Sequence, residues 1–187
     1  MSAVALRTQA RATDRERSVH VVQGEFAVSS EPNVMLTTIL GSCVATCLWD
    51  PVAGVGGMNH FLLPGERGAA DGVQLRYGVN AMELLINGLL NAGAARNRIQ
   101  AKLFGGAHVL ANLSDVGAEN AEFAQRFLKA EGIVCVSQSL GGGRARRVRF
   151  WPHSGRAAQL LLEASADTIK VDTRPLAENR PDAIELF

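Results

Sequence analysis

The sequence predicts an α+β fold built from packed β-sheets flanked by helices. Segments with strand character outnumber those with helical periodicity. Several of these strands come as neighbours joined by short turns, a pattern that favours α+β over a doubly wound parallel sheet. The chain has 187 residues, 47% hydrophobic and 20% charged, so it suits one domain with an ordinary core. Aromatic residues make up only 5%, and aliphatic side chains and alanine must fill that core.

In chain order, residues 1–19 read as a flexible, arginine-rich N-terminal tail, and residues 20–165 as the domain. "HVVQGEFAVSS" opens the domain with short apolar alternation. "VMLTTIL" (Val34 to Leu40) is β-branched and free of breakers, so it predicts a strand. "CVATCLWD" predicts the next strand, "PVAG" a turn, and "VGGMNHFLL" the return strand. Pro64 to Gly72 reads as a polar loop. "YGVNAMELLINGLLNAGAARN" predicts a helix, with Val79, Met82, Leu85, Ile86 and Leu89 on one stripe and Gly93 as its stop. "RIQAKLFGGA" reads as a buried strand ending in a turn. "AENAEFAQRFLKAEG" predicts a second helix, with Phe123 and Phe127 one turn apart and Gly132 at its end. "IVCVSQS" and "RRVRFW" are strands around the loop "LGGGRA". "AAQLLLEA" suits a strand or a helix, and residues 166–187 read as a C-terminal tail.

Composition excludes several function classes. The 19 basic and 18 acidic residues nearly cancel, giving no bulk attraction to nucleic acid or membrane. No apolar run suits a membrane span, and the N-terminus lacks a secretory h-region. Cys43, Cys47 and Cys135 are few and odd in number, which points to a reducing, cytoplasmic setting. The four histidines have no zinc-like spacing, so neither a metal nor another cofactor is expected.

Chemistry concentrates in "LGSCVATCLWDPVAGVGGMNHF". If the two strands form a hairpin around Pro51 to Gly54, Asp50 faces Val55 and paired positions sum to 105. Cys43 then falls opposite Leu62 and His60 opposite Ala45. The two share a face as diagonal neighbours, and an odd slip in register would separate them. A thiol is mostly protonated at neutral pH, and a neighbouring imidazole can take its proton. The bend at Gly41 and Ser42 leaves room for a substrate. It can also aim the backbone N–H groups of Ser42 and Cys43 at a developing oxyanion. Cys47, in mid-strand, reads as a small core residue. A third polar group usually orients the imidazole, and Thr37, Thr38, Asn59 and Asp50 are close in sequence.

The run "TTILGSCVATCLWDPVAGVGGMNHFLLPG" closely resembles the chemoreceptor glutamine deamidase (CheD) family of bacterial chemotaxis. "YGVNAMELLINGLLNAGA", "AKLFGGA", "VGAEN" and "LGGGRARRVRF" continue the resemblance in the family's order, from about Gln23 to Ser165. The resemblance implies a fold similar to the catalytic domain of the cytotoxic necrotizing factor toxins. It implies Cys43 as nucleophile, His60 as its base and Thr37 as the third member, with Thr38 beside it as a decoy. The implied activity is deamidation of glutamine side chains in the cytoplasmic helical region of methyl-accepting chemoreceptors. Hydrolysis of receptor glutamyl methyl esters follows by the same thioester route.

The chain departs from the family pattern at Val109, Glu119 and Ala145, none of them at the Cys, His or Thr positions. The family also implies the phosphatase CheC as a partner, so a non-enzymatic regulator of CheC is the competing expectation. Arg144, Arg146, Arg147 and Arg149 raise nucleic-acid binding, but a solvated strand is the plainer reading. His20, His108 and His153 receive no role.

Overall fold

The computed structural model describes residues 15–63, 71–108, 116–163 and 185–187. Ten strands and two α-helices lie among them. The strands are β1 (Arg17–His20), β2 (Phe26–Ser29), β3 (Val34–Leu40), β4 (Val44–Asp50), β5 (Val55–Asn59), β6 (Gln100–Gly105), β7 (Val134–Leu140), β8 (Arg146–Trp151), β9 (Arg156–Leu161) and β10 (Glu185–Leu186). The helices are α1 (Asp71–Asn91) and α2 (Val116–Ala130). One sheet has the order β1-β3-β8-β9-β10, the other β2-β5-β4-β6-β7. Each is mixed, with β1–β3 and β6–β7 parallel and the remaining pairs antiparallel.

Side-chain alternation along β4 explains the layering. Val44 and Leu48 pack with Met82, Leu85, Ile86 and Leu89 of α1 and with Phe123 and Phe127 of α2. Ala45, Cys47 and Trp49 point the other way, into a second core with Leu36, Leu40, Val148 and Phe150 of the first sheet. All seven residues of β4 are therefore buried, which is why the strand reads as nearly continuous apolar sequence. The order is helices, second sheet, first sheet.

Both helices stop at a glycine in the left-handed region, Gly93 (φ +102°) and Gly132 (φ +68°). Past each glycine the chain folds back. Ala94 N–H donates to the Leu89 carbonyl and Ile133 N–H to that of Leu128. These bonds fill helix-end acceptors that a straight exit would leave open.

The structure revises four readings. Helix α1 is already running at Asp71, inside the segment read as a loop, and it ends at Asn91. Of the ambiguous "AAQLLLEA", Ala157–Leu161 lie on β9, paired with β8. Arg17–His20 and Glu185–Leu186 are strands although they fall largely within the expected tails, of which residues 1–14 and 166–184 lie outside the described residues. Arg146 is not solvated. It alternates with Val148 and Phe150 on the core face of β8, only 3% exposed, and its guanidinium donates to the Ser139 and Gly141 carbonyls.

Candidate active site

The β4–β5 hairpin has the register the sequence implied. Asp50 pairs with Val55, Cys47 with Met58, and Val44 with Phe61. Asp50 fixes the turn by accepting the Val52 and Ala53 N–H groups on one carboxylate oxygen. At Thr46 the Asn59 side chain takes over from the ladder, its Oδ1 accepting the Thr46 N–H at 3.0 Å. Cys43 and His60 share the parity of Ala45 and Met58, so both face the space between the sheets.

The turn from Gly41 to Cys43 is held by its carbonyls. The Gly41 carbonyl accepts from Ala107 N–H (2.8 Å), the Ser42 carbonyl from Asn120 Nδ2 (3.1 Å), and the Cys43 carbonyl from Gly106 N–H (2.8 Å). Asn120 is fully buried and also accepts the Leu63 N–H at 2.7 Å. Gly105 has φ +113°, and a Cβ there would lie 2.1 Å from the Cys43 carbonyl oxygen. The "FGGA" stretch is thus a seat for the turn from Gly41 to Cys43, and its glycine permits the close approach.

His60 is 7% exposed. Its Nδ1 lies 2.9 Å from Thr38 Oγ1 and 3.3 Å from the Val21 carbonyl oxygen. Thr38 Oγ1 gives its single proton to that same carbonyl at 2.7 Å. Both neighbours of Nδ1 therefore accept, which places the ring proton on Nδ1 and the lone pair on Nε2. Among the described residues Nε2 has no hydrogen-bond partner.

Burial pushes the Cys43 thiol up to about 11, partly offset by the residue's own backbone N–H against the sulfur. Burial also pulls His60 below the ordinary imidazole value; the Val21 carbonyl opposes this and the charge of His20 adds to it. Both shifts favour the neutral thiol and the neutral imidazole over an ion pair.

Thr37, which the resemblance implied as third member, is placed elsewhere. Successive strand residues point to opposite faces. Thr37 Oγ1 donates to the Val148 carbonyl on β8, while Thr38 faces the imidazole. Thr37 contributes through its backbone, its carbonyl accepting the Val21 N–H. Asp50 and Asn59, the other candidates for orienting His60, are occupied. Asp50 binds Arg98 and the Ala95 N–H, and Asn59 bridges Thr46 to the Ala81 carbonyl. Cys47 is fully buried among core residues and Cys135 is exposed on β7. His153 Nδ1 lies 3.0 Å from the Ser30 and Gly54 carbonyl oxygens, a position that links two turns. Asn120 was missed as a site residue. Its signal was a lone asparagine in "VGAEN", and nothing local says that its side chain reaches back to Ser42.

Residues 62–159 match a family model described as CheD chemotactic sensory transduction. A protein of Agrobacterium fabrum named probable chemoreceptor glutamine deamidase CheD is 55% identical over 175 residues, covering 91% of this chain and 97% of its own. Proteins of the same name from Acidiphilium cryptum (54% over 185 residues; 95% and 97%) and Caulobacter vibrioides (56% over 169 residues; 90% and 87%) are similarly related. Among solved structures, the Bacillus licheniformis hypothetical protein YfiH overlays with a TM-score of 0.42 at 16% identity, covering 70% of this chain and 61% of that one.

Proposed function

Because the chain belongs to the CheD family, we propose that it deamidates glutamine side chains in the cytoplasmic helical region of chemoreceptors, with Cys43 as nucleophile and His60 as general base. The observation that carries this reading is the unpartnered Nε2 of His60, on a ring whose Nδ1 is already fixed, on the same sheet face as Cys43. A neutral imidazole with a free lone pair can take the thiol proton as the sulfur attacks.

The substrate glutamine presents its amide carbon to Cys43 Sγ. A sulfur–carbon bond forms while the thiol proton moves to His60 Nε2. The carbonyl oxygen becomes an oxyanion. Gly41, Ser42 and Cys43 all have their carbonyls bound into the protein. In a planar trans peptide the N–H points opposite to the preceding carbonyl. The N–H groups of Ser42 and Cys43 therefore face away from those anchors, and that of Cys43 already lies against its own sulfur. They are suited to the oxyanion. His60 next gives its proton to the departing nitrogen and ammonia leaves, with a thioester on Cys43. Water, deprotonated by Nε2, cleaves the thioester to glutamate and free thiol. A glutamyl methyl ester enters the same route with methanol as the leaving group.

The test is peptide mass mapping of a chemoreceptor after incubation with the protein. Glutamine-to-glutamate conversion is expected with the wild type and is abolished by Cys43→Ala and by His60→Ala. Conversion that survives Cys43→Ala but not Cys47→Ala overturns the assignment.

A further inference from the structure

The loop from Val21 to Glu25 carries the chain from the first sheet to the second, across the site. It is tied on both sides of its tip. Val21 N–H donates to the Thr37 carbonyl (2.9 Å), and its own carbonyl accepts Thr38 Oγ1 (2.7 Å). Gly24 N–H donates to the His60 carbonyl (2.7 Å), and the Glu25 carbonyl accepts the His60 N–H (3.0 Å). Gly24, at φ +87°, makes the turn between these anchors. Val22 and Gln23 lie between the Val21 and Gly24 anchors. The backbone of His60 and the threonine that orients its ring therefore also fix where Gln23 stands. Its side chain reaches the nucleophile, with Cys43 Sγ donating to Gln23 Oε1 at 3.5 Å.

We propose that Gln23 is a catalytic residue whose carboxamide nitrogen donates a hydrogen bond to the oxyanion formed on Cys43, opposite the Cys43 backbone N–H. This rests on the reading of Cys43 as an acyl-transfer nucleophile. In the resting protein the sulfur carries a proton and Oε1 accepts it. Once that proton is on His60 and the sulfur is bonded to carbon, the thiol has nothing to donate. The new charge is on an oxygen one bond from that carbon. The carboxamide carries an N–H donor beside its acceptor. A half-turn about its Cγ–Cδ bond replaces Oε1 with Nε2–H, with no movement of the anchored backbone. One contact thus serves the protonated thiol, and its reversed form serves the tetrahedral oxyanion. The opposite role is a resident glutamine carboxamide that blocks the substrate's place, and it predicts effects of opposite sign.

Two reagents separate these roles, in a Cys135→Ser background so that Cys43 is the accessible thiol. p-Nitrophenyl acetate acylates a thiol through a tetrahedral oxyanion: the sulfur–carbon bond forms, p-nitrophenolate leaves, and the thiol proton goes to His60. Iodoacetamide alkylates the same sulfur by direct displacement of iodide, with no oxyanion. For Gln23→Ala the p-nitrophenolate burst is expected to slow by at least about tenfold, while alkylation of Cys43 stays within about twofold. Gln23→Glu, which has an acceptor but no donor, is expected to slow the burst at least as much. An unchanged or faster burst overturns the proposal, and a faster one with faster alkylation identifies a blocking side chain. Equal losses in both reactions also overturn it, since they signify a displaced Cys43. Wild-type protein that is not acylated on Cys43 overturns the nucleophile assignment itself. Normal acylation without receptor deamidation overturns the receptor reading and leaves the Gln23 result standing.

Discussion

Thr38 and His60 act as one unit. The threonine oxygen lies 2.9 Å from Nδ1 and spends its own proton on the Val21 carbonyl 2.7 Å away. The hydroxyl is therefore an acceptor towards the ring, and the ring is held with Nδ1 protonated. Thr38→Val keeps the shape and removes that acceptor. The Val21 carbonyl, 3.3 Å from Nδ1, still holds the tautomer in part. We expect kcat for glutamine deamidation to fall by about tenfold, well short of the loss expected for His60→Ala. Thr38→Ser should retain most activity. Thr37→Val removes only a bond to the Val148 carbonyl and should change kcat little. Steady-state ammonia release from the receptor measures all three. A large loss from Thr37→Val with an active Thr38→Val would reassign the orienting residue.

The pH behaviour of the thiol is the second prediction. Burial pushes Cys43 up to about 11 and pulls His60 down. A raised thiol value means that the protonated form persists through neutral pH. Alkylation of Cys43 by iodoacetamide should therefore keep rising above pH 9 without a plateau, and no thiolate absorbance belonging to Cys43 should be present at pH 7. With His60 as the proposed general base, deamidation needs it neutral. A lowered imidazole value extends the active range to acid, so kcat/KM should fall only below the ordinary histidine value of about 6.5. A thiolate already formed at pH 6 would contradict both. Cys135 is exposed, so modification must be followed by peptide mapping.

The hairpin and the shared face of Cys43 and His60 were legible because local features set them. Asp50 binds the turn's own N–H groups, which fixes the register, and the register fixes which face Cys43 and His60 share. The choice between Thr37 and Thr38 was not legible. Two adjacent threonines place one hydroxyl on each face of β3, and only the packing of one sheet on the other decides which meets the imidazole. Arg146 shows a related blindness. Its alternation with Val148 and Phe150 pointed inward, but the carbonyls of Ser139 and Gly141 that receive it belong to the end of β7 and the loop after it. The strand at Glu185–Leu186 exists through its pairing with β9, which no local pattern announces.

Asn120 gives the third prediction, which couples stability to activity. Its buried side chain accepts from Leu63 N–H and donates to the Ser42 and Val116 carbonyls. Asn120→Ala leaves these three backbone groups without that partner. At about 1 kcal/mol each, the loss is about 3 kcal/mol, or a fall in Tm of roughly 6–12 °C. The Ser42 carbonyl is freed in the same step, so the turn beneath Cys43 loosens and activity should fall even at temperatures where the variant is fully folded. Asn120→Asp keeps an acceptor for Leu63 and loses both donors, so it should recover part of the stability without the activity. Thermal melts and ammonia release on the same samples decide this. A variant that is destabilised but fully active would show that the Ser42 contact is only structural.

Asp50 makes the last prediction, on acid stability. Arg98 beside it and the N–H groups of Ala95, Ala53 and Val52 hold its carboxyl well below the usual carboxylate range, against the opposing effect of burial. A carboxyl whose folded value is depressed stabilises the fold at pH values above the unfolded value, near 3.9. That contribution is lost as pH falls through and below this value towards the folded one. Wild-type stability should therefore drop between about pH 4 and pH 2 more steeply than that of Asp50→Asn, which carries no proton to exchange. At pH 7 the variant should be less stable by about 2 kcal/mol or more, because one side-chain acceptor for the turn's N–H groups and Arg98 becomes a donor. The gap between the two proteins should narrow as the pH is lowered. Urea unfolding of both from pH 7 to pH 2.5 measures it, and a gap independent of pH would show that the Asp50 charge contributes nothing to holding the hairpin turn.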